Sequence, residues 1–388
     1  MIDVYFFILL VKKRLLVWKK QDPDKVEKIT LDFETMQSDD EDMKNWEPVE
    51  FYKKFLNNSI FELIVQESNR YAIQCNPSSP LNLSCNELEQ FIGVLYAMSL
   101  VKMPSTRLYW SKEFYFEKVA GTMAVNRFEK IKKFLHCSDN LTRPKNCTDR
   151  LYKIRPLVDH LQKQFSNLKP SELLCIDEQI VPFKGKSGLK QYNPKKPKKW
   201  GYKLYVLSGI DGLIYNFQVH TGAIDVCLNQ PNLKASGNIV LTLLQHIPRN
   251  KWYKLFCDIW YTGVDLFKTL HNQGIGCLGT VRANRLSKIK MTSDQVMRKN
   301  GRGSVELWTT TYDGVELRAI KWFDNRGVTL LSTYESVNPV SNVSRFDRKA
   351  NKRVNVVCSS IVTTYNMFMG GVDLLDGFLS LHRISIRS

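Results

Sequence analysis

The sequence is poor in acidic residues relative to basic ones. Its 388 residues include 56 Lys and Arg but only 38 Asp and Glu, which gives a formal net charge of +18 at pH 7. A metabolic enzyme does not need this excess, so a polyanion is the first partner to expect. An anionic membrane surface, an acidic protein or a gain in solubility would explain the same charge. The content of 43% hydrophobic residues argues against a wholly disordered chain.

The sequence also lacks the patterns of a metal-binding or disulfide-rich protein. Its nine cysteines include no CxxC pair, and its six histidines include no HxxxH or HExxH spacing. These absences argue against a zinc ribbon and a His/Cys metal centre, so no zinc site is expected. Cys175, Cys257 and Cys277 lie in apolar runs typical of strands, where a free thiol behaves as a small hydrophobic residue in a reducing compartment.

The sequence has no hydrophobic run long enough to cross a bilayer. The apolar run at residues 4–11 has eight residues, whereas a spanning helix needs about 20. Basic residues follow this run, which argues against a signal peptide. Residues 32–50 carry eight acidic side chains and one Lys, a composition with too little apolar surface to become ordered. We therefore expect residues 1–45 to be a disordered leader and acidic linker, and expect no membrane partner.

Helical periodicity begins after this linker. Ser84 starts a capping box that is followed by apolar residues at helical spacing, and Asn126 starts a second such pattern. These patterns predict an N-terminal helical domain over residues 46–170.

Short apolar runs replace the helical pattern from residue 173 onward. The predicted order is a strand, a two-stranded hairpin around Asp211, a helix, a strand, a helix and a strand. This order predicts an α/β core over residues 171–283, with a mixed sheet and helices on both faces, of which the ribonuclease H-like arrangement is the best-known form. Further strands predict a β-rich insertion domain over residues 284–358, and residues 359–388 return to helical spacing as a last helix.

Acidic residues follow two of the predicted strands. Asp177 and Asp258 each end a predicted strand, and these two strands would be neighbours in the sheet. Asp373 and Asp376 share one face of the last helix. Converging carboxylates are what Mg²⁺ requires, and two such ions can promote phosphodiester cleavage. An Asp at the end of a strand is also a common turn or cap residue, so that alternative stays open. Glu178 would face away from Asp177 and is excluded as a partner.

A strongly basic segment, residues 184–203, connects the first two strands of the predicted core. Lysines neutralise phosphates, and the interleaved aromatic residues offer faces on which unpaired bases can stack. A solvated charged loop, or a nuclear-import signal at residues 194–199, would explain the same composition. The predicted DNA-binding residues are Lys184, Lys186, Lys190, Lys195, Lys196, Lys198, Lys199, Trp200 and Lys203.

The sequence resembles the piggyBac transposases, and more closely the vertebrate piggyBac transposable element-derived proteins. The resemblance runs from about Trp46 to the last residue. It is carried by the segments CIDEQIVPFKGKSGLKQYNPKKPKKWGYK, ASGNIVL, GTVRANRL, TLLSTY, YNMFMGGVDLLD and LHRISIRS.

This resemblance implies a DDE transposase with a ribonuclease H-like core and an insertion domain. Matching positions imply that Asp177, Asp258 and Asp373 are catalytic, and that these residues and Asp376 hold two Mg²⁺ ions. DNA would be the partner, with cleavage and strand transfer at TTAA-type sites, and the nucleus would be the location. Whether the protein is a homodimer is left open.

Two features favour an alternative function, that of a catalytically inactive, truncated or domesticated derivative that binds DNA. The C-D-N sequence of the family reads Cys257-Asp258-Ile259 here, so an alkyl group replaces an amide that can support a metal-binding carboxylate. The chain also ends at Ser388, where family members continue with further helices and a Cys-rich zinc-binding region.

Overall fold

The computed structural model describes residues 16–35, 45–194, 196–222, 224–348 and 350–384. The apolar run at residues 4–11, residues 36–44 of the acidic linker and Lys195 lie outside the described residues.

Helices form the N-terminal part of the described chain, alternate with strands in the middle and return at the C-terminal end. Their bounds are α1 Pro48–Phe55, α2 Asn58–Cys75, α3 Cys85–Leu100, α4 Glu117–Ala120, α5 Val125–Phe134, α6 Arg155–Ser166, α7 Lys234–Leu243, α8 Val264–His271, α9 Asp294–Asn300, α10 Ser360–Phe368 and α11 Gly371–Leu381.

The strands are short, apart from two of ten residues. Their bounds are β1 Lys19–Gln21, β2 Leu173–Pro182, β3 Gln191–Tyr192, β4 Trp200–Gly209, β5 Ile214–Val219, β6 Tyr253–Cys257, β7 Ile275–Thr280, β8 Val305–Tyr312, β9 Val315–Phe323, β10 Gly327–Ser332, β11 Ser341–Asp347 and β12 Lys352–Cys358.

One mixed sheet forms the centre of the molecule. Its strand order is β1-β8-β9-β10-β7-β6-β2-β4-β3, and β5 pairs with β4. β6 is parallel to both β2 and β7, whereas β4 is antiparallel to β2. The predicted mixed sheet and the predicted order of strands and helices in the core are therefore confirmed.

Alternating side chains of the central strands build a hydrophobic layer on each face of this sheet. Leu255 and Cys257 pack with α7 and α8 on one face, whereas Phe256 packs with α6, α10 and α11 on the other. Each large side chain buried in this way contributes about 1.5–3 kcal/mol relative to an exposed one. Helices α2, α3 and α5 enclose a separate core.

Residues 16–35 pack on the central sheet, so the expectation of a disordered leader is wrong for this part. β1 pairs antiparallel with the edge strand β8, and Trp18 and Leu31 are buried in the two layers of the core. An edge strand offers unpaired backbone groups that a second segment can satisfy. No local pattern predicts this pairing, because the partner strand lies almost 300 residues away in sequence.

The region expected as an insertion divides into two parts. β8, β9 and β10 hydrogen-bond in series with the central sheet, whereas β11 and β12 form a separate two-stranded sheet. The single last helix that the sequence predicted is two helices, because α10 ends at Phe368 and Gly370 precedes α11. Adjacent glycines have low helix propensity and favour such a break. Within the described residues, none of the helices combines the length and the apolar content needed to cross a membrane.

Candidate carboxylate site and nucleic-acid interface

Asp177 and Asp258 occupy adjacent positions on neighbouring strands. Ile176 and Cys257 form the last residue pair of the parallel β2–β6 ladder, and one Asp follows each of them. The sequence predicted that Asp177 ends its strand. That prediction is wrong, because β2 continues to pair with β4 as far as Pro182. The two carboxylates therefore lie at one position along the sheet, which we call the carboxylate edge.

The surroundings of Asp177 disfavour a negative charge. The loss of water around its carboxyl group raises the pKa to about 7, although the charge of Lys196 and the backbone N–H of Glu178 oppose this shift. That N–H donates to Asp177 Oδ1 at 2.7 Å. The charge of Glu178 and, to a smaller extent, that of Asp258 raise the pKa of Asp177 further. Like charges that interact in this way need a cation or a proton between them.

Helix α11 brings the other two carboxylates to this edge. Asp376 Oδ1 accepts a hydrogen bond of 3.0 Å from Gln179 Nε2 on β2. Burial raises the pKa of Asp376, while the bond from Gln179 and the charge of Lys196 act against the rise. Sequence reasoning missed the role of Gln179. Its position two residues after Asp177, on the same face of a strand, was the available signal.

The ammonium group of Lys196 lies beside the helix carboxylates. Its Nζ is 3.3 Å from Asp373 Oδ1 and 3.9 Å from Asp376 Oδ2. Burial alone would lower the pKa of Lys196, but the charges of Asp177, Asp373 and Asp376 outweigh burial and raise it. Asp373 itself is 72% exposed at its side chain.

The chemistry of the donor set suits a hard divalent cation, because carboxylate oxygens come from two strands and one helix. In the part of the chain that the structure describes, however, no group of three or more His, Cys, Asp or Glu side chains is placed to hold a metal ion. Among the described residues, the Lys196 ammonium is the cation that pairs with Asp373 and Asp376.

Gly371 allows α11 to approach the sheet closely. A Cβ atom there would fall on the carbonyl oxygen of Gly209 and lie 2.6 Å from Cys175 Sγ. Any larger residue would therefore push the first turn of α11, which carries Asp373, away from β2 and β4.

Gly371→Ala is expected to lower the free energy of unfolding by about 1–3 kcal/mol, the usual cost of overpacking. Gly377→Ala, in the same helix, is the matched control, because a Cβ atom there meets nothing within 4 Å. That change should be neutral or stabilise the helix by up to about 1 kcal/mol. Urea unfolding of both variants tests the difference, and equal stabilities would contradict the close packing of α11.

The lysines of the basic segment fall into two groups. Lys184, Lys186, Lys198 and Lys199 are exposed, as is Trp200. Lys190, Lys196 and Lys203 make contacts within the protein: Lys190 Nζ donates to the carbonyl oxygen of Gly185 at 2.8 Å, Lys196 contacts the carboxylates, and Lys203 Nζ donates to Glu178 Oε1 at 2.8 Å.

Glu178 is paired with a lysine rather than directed at the carboxylate edge. Lys203 also lies over the rings of Tyr205 and Trp260, 4.7 and 5.2 Å from their centroids. The charge of Lys203 is therefore largely compensated by its neighbours, so this residue is a weaker candidate for phosphate binding than the sequence suggested.

Paired aromatic rings stiffen the basic segment. Tyr192 and Trp200 lie 4.7 Å apart, and Phe183 stacks on Tyr202 at 5.0 Å. Lys190 Nζ lies 5.2 Å from the centroid of the Trp200 ring. Tyr192 and Trp200 are both exposed, and the Trp200 ring lies next to a positive charge.

Arg150 holds the basic segment against the rest of the protein. Its Nη2 donates to the carbonyl oxygen of Gly188 at 2.6 Å, and its Nη1 donates to that of Thr221 at 2.7 Å. No sequence pattern indicates this role of Arg150, because both acceptors are backbone atoms far along the chain.

The sequence of this chain is similar to those of known proteins. A sequence-family model described as Transposase IS4 matches residues 47–388. PiggyBac transposable element-derived protein 3 of Homo sapiens is 30% identical over 350 residues, 88% of this chain and 57% of that protein. PiggyBac transposable element-derived protein 2 of Homo sapiens is 28% identical over 383 residues, 96% of this chain and 62% of that protein.

A solved structure is also similar. The cryo-EM structure of the piggyBac transposase synaptic complex with hairpin DNA superposes with a TM-score of 0.71 at 23% identity, and the match covers 90% of this chain and 71% of that one. This likeness shows a ribonuclease H-like fold with an insertion domain. The chain spans about 57% to 62% of the length of the two human relatives.

Proposed function

Because this chain belongs to the piggyBac-type transposase family, we propose that it binds DNA along the basic segment and cuts and joins DNA strands at the carboxylate edge. One observation carries the proposal. The β2–β6 register places Asp177 beside Asp258, and the basic segment leaves the end of β2 only a few residues after Asp177. A DNA backbone held by that segment would lie close to the two carboxylates.

DDE transposases generally use a divalent metal. Asp177, Asp258, Asp373 and Asp376 are the residues that would hold Mg²⁺ here. When bound, the ion would activate a water or hydroxyl group and stabilise the leaving oxygen of the phosphodiester. The contribution of the chain itself is to hold the carboxylates: Gln179 fixes Asp376 by a hydrogen bond, and the parallel β2–β6 ladder positions Asp177 and Asp258.

DNA would be held by the exposed part of the basic segment. Lys184, Lys186, Lys198 and Lys199 would contact phosphates as point charges, and Trp200 would stack on an unpaired base. Family resemblance supports TTAA-type sites as the target. We further propose that the protein acts in the nucleus, where exposed Lys198 and Lys199 would form part of an import signal.

Neutralising the exposed lysines tests the DNA-binding step. The fourfold change to Gln at Lys184, Lys186, Lys198 and Lys199 is expected to weaken duplex binding about tenfold or more at moderate salt. The slope of log affinity against log salt concentration should decrease in magnitude by about 3 to 4, because about 0.9 of a counterion is released for each phosphate contact. Fluorescence anisotropy at several salt concentrations measures both quantities.

The matched control removes the same charge elsewhere. Four exposed lysines far from the segment in sequence serve this purpose: Lys25, Lys102, Lys112 and Lys118. Their change to Gln should leave the salt slope near that of the unmodified protein. Equal losses in the two fourfold variants would mean that binding depends on net charge alone and not on the basic segment.

A second candidate function is DNA binding without strand cleavage. The observation that favours it is the pairing of Lys196 with Asp373 and Asp376, which offsets part of the negative charge of these carboxylates within the protein. The two candidates differ in a cleavage assay, since only the first predicts Mg²⁺-dependent nicking that depends on Asp177.

A further inference from the structure

Lys196 differs from its exposed neighbours in the basic segment. It lies in the loop between β3 and β4, which is closed by a hydrogen bond of 2.7 Å from the Asn193 N–H to the carbonyl oxygen of Lys199. Its side chain is only 20% exposed. Among the described lysines of the segment, Lys196 is the one whose ammonium group reaches the helix carboxylates.

The position of this ammonium group matters for any cation that binds at the carboxylate edge. The charges that act on Lys196 come from β2 through Asp177 and from α11 through Asp373 and Asp376. These are three of the four carboxylates that would hold a divalent ion. A lysine ammonium and a divalent ion repel each other at separations of a few ångströms, so the ammonium competes with the ion for the carboxylates and lowers the affinity of the edge for it.

We propose that Lys196 acts as an internal cation that blocks divalent-metal binding in DNA-free protein, and that a DNA backbone bound to the same loop draws it away. This proposal rests on the proposed function, since it requires DNA to bind the basic segment. It gives that segment a second role, the regulation of metal binding at the carboxylate edge.

The short loop provides the mechanical link. Lys198 and Lys199, two and three residues after Lys196, are exposed and would contact the phosphates. The flexible four-carbon stem of lysine allows the Lys196 ammonium to exchange a carboxylate for a phosphate without a change in the sheet. Once it leaves, the carboxylates carry uncompensated negative charge and attract the divalent ion. DNA and metal then bind cooperatively, and each raises the affinity for the other by the same factor.

Direct measurement of Mn²⁺ affinity by isothermal titration, without DNA, tests the block. Lys196→Met is expected to bind Mn²⁺ about tenfold more tightly than the unmodified protein, because it removes the competing charge. Lys196→Arg keeps the charge and should bind as weakly as the unmodified protein. Adding Asp373→Asn to Lys196→Met should abolish the gain, which places the bound ion at the carboxylate edge.

Lys268→Met is the matched control. Lys268 is similarly covered, with a side chain 23% exposed, and pairs with Asp313 at 3.0 Å, away from the four carboxylates. Its loss should leave the Mn²⁺ affinity unchanged. Circular dichroism of each variant reports folding.

A duplex that is present during the titration tests the release. After subtraction of the Mn²⁺ bound by DNA alone, DNA should tighten binding to the unmodified protein about tenfold and binding to Lys196→Met much less. Lys196→Met that binds Mn²⁺ no more tightly than the unmodified protein would overturn the inference. A protein that binds no DNA would refute the proposed function and the release, whereas the DNA-free comparison decides by itself whether Lys196 blocks the metal.

Discussion

Asp177→Asn and Asp258→Asn are each expected to reduce Mg²⁺-dependent cleavage of a DNA strand by about 10²–10³-fold, the usual effect of removing one group that stabilises charge in a transition state. Asn has nearly the same shape as Asp, so the change removes charge without leaving a cavity. The two residues are adjacent in the β2–β6 register, and the loss of either should leave the other unable to hold a divalent ion.

The assay follows nicking of a labelled duplex that contains TTAA, with and without Mg²⁺. Asp225→Asn is the matched control, because Asp225 is exposed and lies outside the carboxylate edge; its activity should equal that of the unmodified protein. Equal cleavage by the unmodified protein and by Asp177→Asn would exclude catalysis at this site. An unmodified protein that binds DNA but does not nick it would favour the second candidate function.

Phe256→Ala is expected to lower the free energy of unfolding by about 3–5 kcal/mol, the usual cost of emptying a large aromatic site in a core. Phe256 is 0% exposed, and its ring lies 5.4 Å from that of Phe368 in α10. It connects the strand that precedes Asp258 to the helix that precedes α11. Loss of this contact should therefore also loosen the position of Asp373 relative to the sheet.

Equilibrium unfolding in urea, followed by circular dichroism and by tryptophan fluorescence, measures this loss. Phe114→Ala makes the same chemical change at a side chain that is 57% exposed, and it should alter the free energy of unfolding by no more than about 0.5 kcal/mol. If the two variants lose similar stability, the contact between β6 and α10 contributes little to the core.

Local signals predicted much of the secondary structure. Ser84 caps α3 as expected, its Oγ accepting from the N–H of Glu87 at 3.2 Å, because a capping box acts within one turn. Asp211 accepts from the N–H of Leu213 at 3.0 Å and shapes the predicted hairpin. Cys175, Cys257 and Cys277 are buried, as their apolar surroundings indicated.

Other local signals were misleading where packing outweighed propensity. The sequence pattern predicts Asn126 as the N-cap of its helix, but the N-cap is Ala124, two residues earlier, and it makes no side-chain hydrogen bond. The apolar face of α5, with Phe128 and Ile131, is fully buried. Burial of that face therefore decides where the helix begins, and it outweighs the contribution of a polar cap.

The sequence by itself identified the residues to which the proposed chemistry is assigned. Three features can be recognised from local sequence alone, because strand periodicity and charge need no tertiary contact. They are the order of the strands, the acidic residues after the apolar runs of β2 and β6, and the concentration of lysines in one segment. The family resemblance depends on the same residues.

Only the tertiary structure decided how those residues are paired. Gln179 reaches Asp376 across 197 positions of sequence, and Lys196 reaches Asp373 across 177. Such contacts depend on the close approach of α11 to β2, which Gly371 permits, and on the path of the basic loop. No local pattern encodes these distances, because they result from the packing of elements that are far apart along the chain.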